Sequence, residues 1–161
     1  MSQSFIRNGT VLLVNDDVNA RIIEETLLQE RGISVHAVAD AYAACDLLAR
    51  YGRGIAVVVM SLEIDATEMG GWQLLLRGHL QPILLSVQPR IVVTTARQGV
   101  ETARFFRRLG ADAVLQRPIA PRAFIDTVEW LRQSAAGAPV EHSRYAAVKT
   151  TSSVGANASL R

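Results

Sequence analysis

A single cysteine, Cys45, stands in the 161 residues, so an internal disulfide framework is excluded and a reducing cytoplasm is the expected setting. Cys45 lies in an apolar helical pattern and reads as core packing. Long hydrophobic runs are also missing. The longest, such as "IAVVVM", fall far short of the roughly 20 residues that a membrane span needs. "MSQSFIRNG" carries no apolar segment before the first strand-like run, so no signal peptide is expected. Aromatic residues make up 6% of the chain, and no dense basic run is interleaved with them, which argues against nucleic acid as a partner. The first strand is not followed by a Gly- or Ser/Thr-rich phosphate loop.

What is present fits one globular domain: 49% apolar and 20% charged residues, in a chain too short for two domains of ordinary size. The 17 basic and 15 acidic residues nearly balance, with a pI of about 9.1. Acidic groups gather early ("NDD", "EE", "LEID") and arginines late ("ARQ", "RFFRR", "QRP"), a distribution compatible with an ordinarily solvated surface.

Short apolar runs alternate with segments of helical period. "TVLLV" (Thr10 to Val14) reads as a buried strand. "VNARIIEETLLQERG" follows as a helix, with Ile22, Ile23, Thr26, Leu27 and Glu30 at helical spacing and Gly32 as its stop. "ISVHAVA" is a second strand. "DAYAACDLLARYG" is a helix with Asp40 as N-cap and Gly52 past its end. "IAVVVM" is the most continuously apolar strand and is placed centrally. "GWQLLLRGHL" is a third helix, interrupted by Gly71 and Gly78. "IVVTT" and "DAVLQ" are the last strands, each followed by a helix, "GVETARFFRRLG" and "PRAFIDTVEWLRQ", the latter opened by Pro121. This alternation predicts a three-layer αβα domain with a parallel sheet of about five strands and right-handed crossovers. Residues 1–9 read as an N-terminal extension, 10–133 as the domain and 134–161, rich in Ala, Ser, Gly and Thr, as a flexible tail.

Ligands of open parallel sheets bind beyond the carboxyl ends of the strands. Strand one ends in Asn15, Asp16 and Asp17; strand three in Ser61, with Glu63 two positions on. Strand four ends in Thr94 and Thr95, and strand five in Gln116 and Arg117 before Pro118. Acid, hydroxyl and cation thus meet at one edge, which suggests a site for an anion or a metal. No histidine falls there: His36 lies in strand two, His79 near helix three and His142 in the tail.

In this order, "VLLVNDDVNAR", "VVVMSLEI" with "MGGWQLL", "IVVTTA", "RLGADAVLQRPI" and the closing amphipathic helix resemble the receiver domain of two-component response regulators, over Thr10 to Leu131. The resemblance implies a flavodoxin/CheY-like (βα)5 fold, doubly wound with strand order 2-1-3-4-5. It also implies chemistry: a histidine kinase passes a phosphoryl group to an aspartate at the end of strand three. Mg²⁺ held by that aspartate and two acids after strand one assists, and a hydroxyl and a lysine bind the phosphoryl oxygens, so the work is electrostatic.

Matched to that pattern, Asn15 and Asp16 fall on the acidic pair and Asp17 on the next position. Ser61 falls on the phosphoacceptor, Thr95 on the hydroxyl, and Arg117 on the lysine, with Pro118 after it. Val114 falls where the family often has a Tyr or Phe that swings inward. Asp16 is then the only matched carboxylate ligand, so Mg²⁺ binding is expected to be weak or absent and no other cofactor is implied. A serine hydroxyl is a poor nucleophile without a neighbouring base, and Arg for Lys exchanges a compact charge for a planar fork. The expectation is a degenerate receiver, a pseudo-receiver that is not an enzyme. Ser61 is then either a plain polar strand end, or part of a hydrogen-bonded lock with Asn15 and Arg117.

The expected activity is interaction with a protein partner, a histidine kinase or an output protein, without aspartate phosphorylation. In this family the face of helix four, strand five and helix five is the common partner and dimer surface. Phe106, with Ala103 and Leu109, makes a core stripe on helix four. Phe105, between Arg104 and Arg108, is either an exposed anchor or part of the core cover. "LQPILLSVQP" before strand four is either a contact patch or a short packed helix. Two alternatives stand beside this reading: an active phosphoryl switch modified at Ser61 or a neighbouring acid, and an unrelated flavodoxin-like small-ligand domain.

Overall fold

The computed structural model describes residues 8–62 and 88–135. The third helix "GWQLLLRGHL", the link "LQPILLSVQP" except its last two residues, Glu63, His79, and nearly all of the N-terminal extension and the tail lie outside the described residues.

Five strands form one sheet: β1 (Thr10–Val14), β2 (Val35–Val38), β3 (Ile55–Ser61), β4 (Arg90–Thr95) and β5 (Ala113–Gln116). Their order is β2-β1-β3-β4-β5 and every pairing is parallel, the doubly wound arrangement expected. The helices among the described residues are α1 (Val18–Gln29), α2 (Ala41–Tyr51), α3 (Val100–Arg108) and α4 (Pro121–Ser134). α3 and α4 correspond to the fourth and fifth helices of the sequence pattern.

Alternation along the strands divides the core into two sides. Leu12, Val14, Val58, Met60, Val93 and Val114 pack with Ala44 and Leu48 of α2 and Phe106 of α3. Val11, Leu13, Val57, Val59 and Val92 pack with Leu28 of α1 and with Phe124, Ile125, Val128 and Leu131 of α4. Both faces of β3 are therefore covered, which is why its sequence is continuously apolar. Cys45 packs against the first of these sides, and burial pushes its thiol pKa up.

Local signals behave as the chemistry predicts. The Asp40 carboxylate accepts from the Ala43 backbone N–H at 2.8 Å and caps α2. Asp17 caps α1 by accepting from Ala20 N–H at 3.0 Å. Gly32 takes a φ of +72° after α1, a left-handed conformation that a side chain would strain.

One helical face differs from its reading. Ile22 and Ile23 are not core residues: they are 56% and 60% exposed, and Thr26 is exposed as well. The buried positions of α1 are Glu24 and Leu28, one turn apart. The helix is rotated so that an acid, not an isoleucine, faces the sheet. On α3 the reading holds. Phe106 is fully buried with Ala103 and Leu109 packed beside it, while Phe105 is 41% exposed.

Candidate functional site

The strand ends converge on Arg117. Its backbone is fixed first: the Arg117 N–H donates to the Thr95 carbonyl at 2.8 Å, continuing the β4–β5 ladder beyond Gln116. The guanidinium then reaches back across the sheet. One nitrogen, Nη2, donates to Ser61 Oγ at 2.6 Å and to Thr94 Oγ1 at 3.3 Å. Ser61 and Thr94 are register partners in adjacent strands, so their side chains emerge on one side of the sheet and meet the same donor.

Strand parity decides which threonine takes part. The hydroxyl at Arg117 is that of Thr94. Thr95, the residue matched by family position, points to the opposite side, where its Oγ1 accepts from the Arg97 N–H at 3.2 Å. Both are buried. Val114 is buried on β5 among the side chains beneath α2 and α3.

Glu24 was not among the residues singled out in the sequence. It reaches the strand ends from α1, with Oε1 3.8 Å from Arg117 Nη2. Its other oxygen, Oε2, accepts from Asn15 Nδ2 at 3.0 Å. Asn15 is buried: Oδ1 accepts from the Asp17 N–H at 3.0 Å, and its carbonyl accepts from the Arg21 guanidinium. Asn15, Ser61 and Arg117 do form one network, joined through Glu24. A signal for Glu24 did exist. It stands four residues before Leu28, on the same helical face.

Asp16 and Asp17 are exposed at the rim. Among the described residues no group of three or more His, Cys, Asp or Glu is placed to hold a metal ion. Of the two positions matched to the family's acidic pair, Asp16 is the one that carries a carboxylate.

Burial is the main influence on Glu24 and raises its carboxyl pKa above the ordinary 4.5. The Asn15 hydrogen bond and the Arg117 charge oppose the rise, and Asp17 adds to it. The folded chain therefore holds this proton more tightly than the unfolded chain does. Glu24's contribution to stability is full below 4.5 and is lost as pH rises through the folded value. In urea unfolding at stepped pH, the wild type should lose stability relative to Glu24→Gln from 4.5 upward, then run parallel to it once Glu24 is ionised. A difference that is flat with pH would refute this.

Among the described residues, the edge places a cation and two hydroxyls around one point, and the position at the end of β3 matched to the phosphoacceptor is a hydroxyl, Ser61. At the other end of α3, Phe105 meets Phe106 edge-on at 5.4 Å and 68°, and Arg104 pairs with Glu101 at 3.0 Å. Arg108 is exposed one turn on.

Comparison with known proteins agrees with this architecture. Residues 11–129 match the family described as the response regulator receiver domain. No curated protein matches the chain. Similar solved structures include the signal receiver domain of a putative LuxO repressor protein from Vibrio parahaemolyticus. It is 20% identical with a TM-score of 0.65, covering 81% of this chain and 93% of that one. A CheY-like receiver domain from Methanospirillum hungatei gives 20%, 0.64, 79% and 95% for the same quantities. The chemotaxis response regulator CheY4 of Vibrio cholerae gives 22%, 0.61, 77% and 98%. At these identities the structural likeness speaks for the fold, and the family match over most of the chain for descent. The chain belongs to the response regulator receiver domain family, the receiver module of two-component signalling.

Proposed function

We propose that this receiver is degenerate and signals by binding a protein partner without phosphorylation of an aspartate. The observation that carries the reading is the Arg117–Ser61 hydrogen bond of 2.6 Å. The cation that would grip a phosphoryl group is bonded to a neutral hydroxyl at the acceptor position. Asn15 removes a further charge from the place where Mg²⁺ would sit. An acyl phosphate stores energy that a serine phosphate does not, so the usual reversible cycle has no chemical basis at Ser61.

The partner surface we assign is the one most used in this family. On the face formed by α3, β5 and α4, Phe105 supplies exposed aromatic area between Arg104 and Arg108, a combination typical of binding anchors. A histidine kinase, an output protein or a second copy of the chain would use this face. With no membrane-spanning helix among the described residues and one cysteine in the chain, the proposed setting is the cytoplasm.

Incubation of the full chain with acetyl phosphate and Mg²⁺, followed by intact mass, tests the reading. No adduct is expected. A hydroxylamine-sensitive adduct, the mark of an acyl phosphate, would overturn it. A stable phosphate on Ser61 after treatment with a serine/threonine kinase would favour a switch modified at that hydroxyl.

A further inference from the structure

Asn15 and Ser61 are uncharged where the family pattern has carboxylates, and a carboxylate arrives at this pocket from elsewhere. Glu24 lies on α1, not on a strand, and each of its oxygens has a partner at a different strand end. We propose that Glu24 is the pocket's own counter-anion: supplied by α1 in place of the strand-three carboxylate, it holds Arg117 and closes the Ser61–Thr94 edge to a free oxyanion such as sulfate or phosphate. This rests on the degenerate reading, since an acceptor aspartate at the end of β3 would make such a stand-in superfluous.

Among the described residues, the edge without Glu24 keeps groups of the kind a tetrahedral oxyanion uses. Arg117 Nη2 lies 2.6 Å from Ser61 Oγ and 3.3 Å from Thr94 Oγ1, so one cation and two hydroxyls surround one point. A guanidinium fork is well matched to such anions, and a hydroxyl can turn to donate. Glu24 Oε1, 3.8 Å from the same nitrogen, sets a negative charge against any anion that enters.

The carboxylate is also held in place. Asn15 Nδ2 grips Oε2 at 3.0 Å, and the Asn15 side chain is itself fixed by the Asp17 N–H at 3.0 Å. Swinging Glu24 away would leave a buried amide donor unpaired, which is costly. An aspartate at position 15 could not donate to Glu24. Asn15 is thus the complement of Glu24, and the charge missing from the end of β1 reappears on the neighbouring helix.

The test is sulfate binding to the full chain, followed through the backbone amides of Ser61, Thr94, Thr95 and Arg117 by NMR. Sulfate keeps its charge from mildly acidic to neutral pH, so any pH effect belongs to the protein. Glu24→Gln should bind sulfate at least about tenfold more tightly than the wild type at neutral pH. The gain should vanish when Arg117→Gln is added.

Should Glu24→Gln fail to fold, the wild type titrated at falling pH decides. Among the described residues, the groups acting on Glu24 are Asn15 and Asp17 after β1 and Arg117 after β5, so the acids are Glu24 and Asp17. Wild-type affinity should rise as Glu24 takes up its proton, and should do so equally in Asp17→Asn. Equal sulfate affinity in wild type and Glu24→Gln, or a wild-type affinity that does not change with pH, would overturn the proposal. Labelling by acetyl phosphate would sink the degenerate reading instead, whatever sulfate does, so the two failures are distinct.

Discussion

Phe106→Ala is expected to remove about 3–5 kcal/mol of folding stability, while Phe105→Ala, one residue earlier, removes about 1 kcal/mol or less. The two rings touch edge-on, yet their surroundings differ. Phe106 is fully buried in the side of the core built from α2, α3 and the sheet. Truncating it loses the transfer energy of the ring and opens a cavity beneath α3 that close-packed neighbours fill only in part. Phe105 is 41% exposed, so its truncation loses less buried area and opens no enclosed cavity.

Urea unfolding should show a much lower midpoint for Phe106→Ala with an unchanged slope, and a nearly native midpoint for Phe105→Ala. A loss of that size is a large part of a typical domain's stability, so Phe106→Leu, expected to cost about 1 kcal/mol, keeps the comparison measurable. Equal losses at the two positions would mean that α3 presents a different face to the sheet.

The second large effect is expected when the missing charges are restored. Asn15→Asp with Ser61→Asp should raise Mg²⁺ affinity by about tenfold or more, read by calorimetric titration. Without metal the same change should destabilise the fold by roughly 3 kcal/mol, because it buries an uncompensated charge. Asn15 now donates to Glu24 at 3.0 Å, and a carboxylate in its place meets another carboxylate. Mg²⁺ relieves that repulsion, so stability should recover as the metal is added. Titration without any gain in affinity would show that these strand ends do not form the ancestral metal site.

Much of this was legible in the sequence for a physical reason. A strand covered on both sides must be apolar throughout, as "IAVVVM" is, and the helices between such strands must carry one apolar face. Those two constraints order the elements and bring Asn15, Ser61 and Arg117 to one edge. The rotation of a helix is less constrained. Ile22 and Ile23 favoured one face of α1 on hydrophobicity, but Leu28 and the polar network of Glu24 select another. A glutamate in a helix is ordinarily a solvent-facing residue, so its burial is visible only once the facing amide is in place. The choice between Thr94 and Thr95 is one of parity. Two identical residues in sequence leave it open, and the register with Ser61 settles it.

Two glutamines connect the pocket to the proposed partner face. Gln98 Nε2 donates to the Arg117 carbonyl, and Gln116 Nε2 donates to the Gly99 carbonyl at 2.7 Å. They stitch the loop that launches α3 to the end of β5 in both directions. α3 carries Phe105, so its launching turn and the Arg117 peptide are expected to open together in hydrogen exchange. On the degenerate reading proposed above, this link would outlast the phosphoryl trigger, and a displacement of Arg117 would be felt at the helix proposed as the partner face.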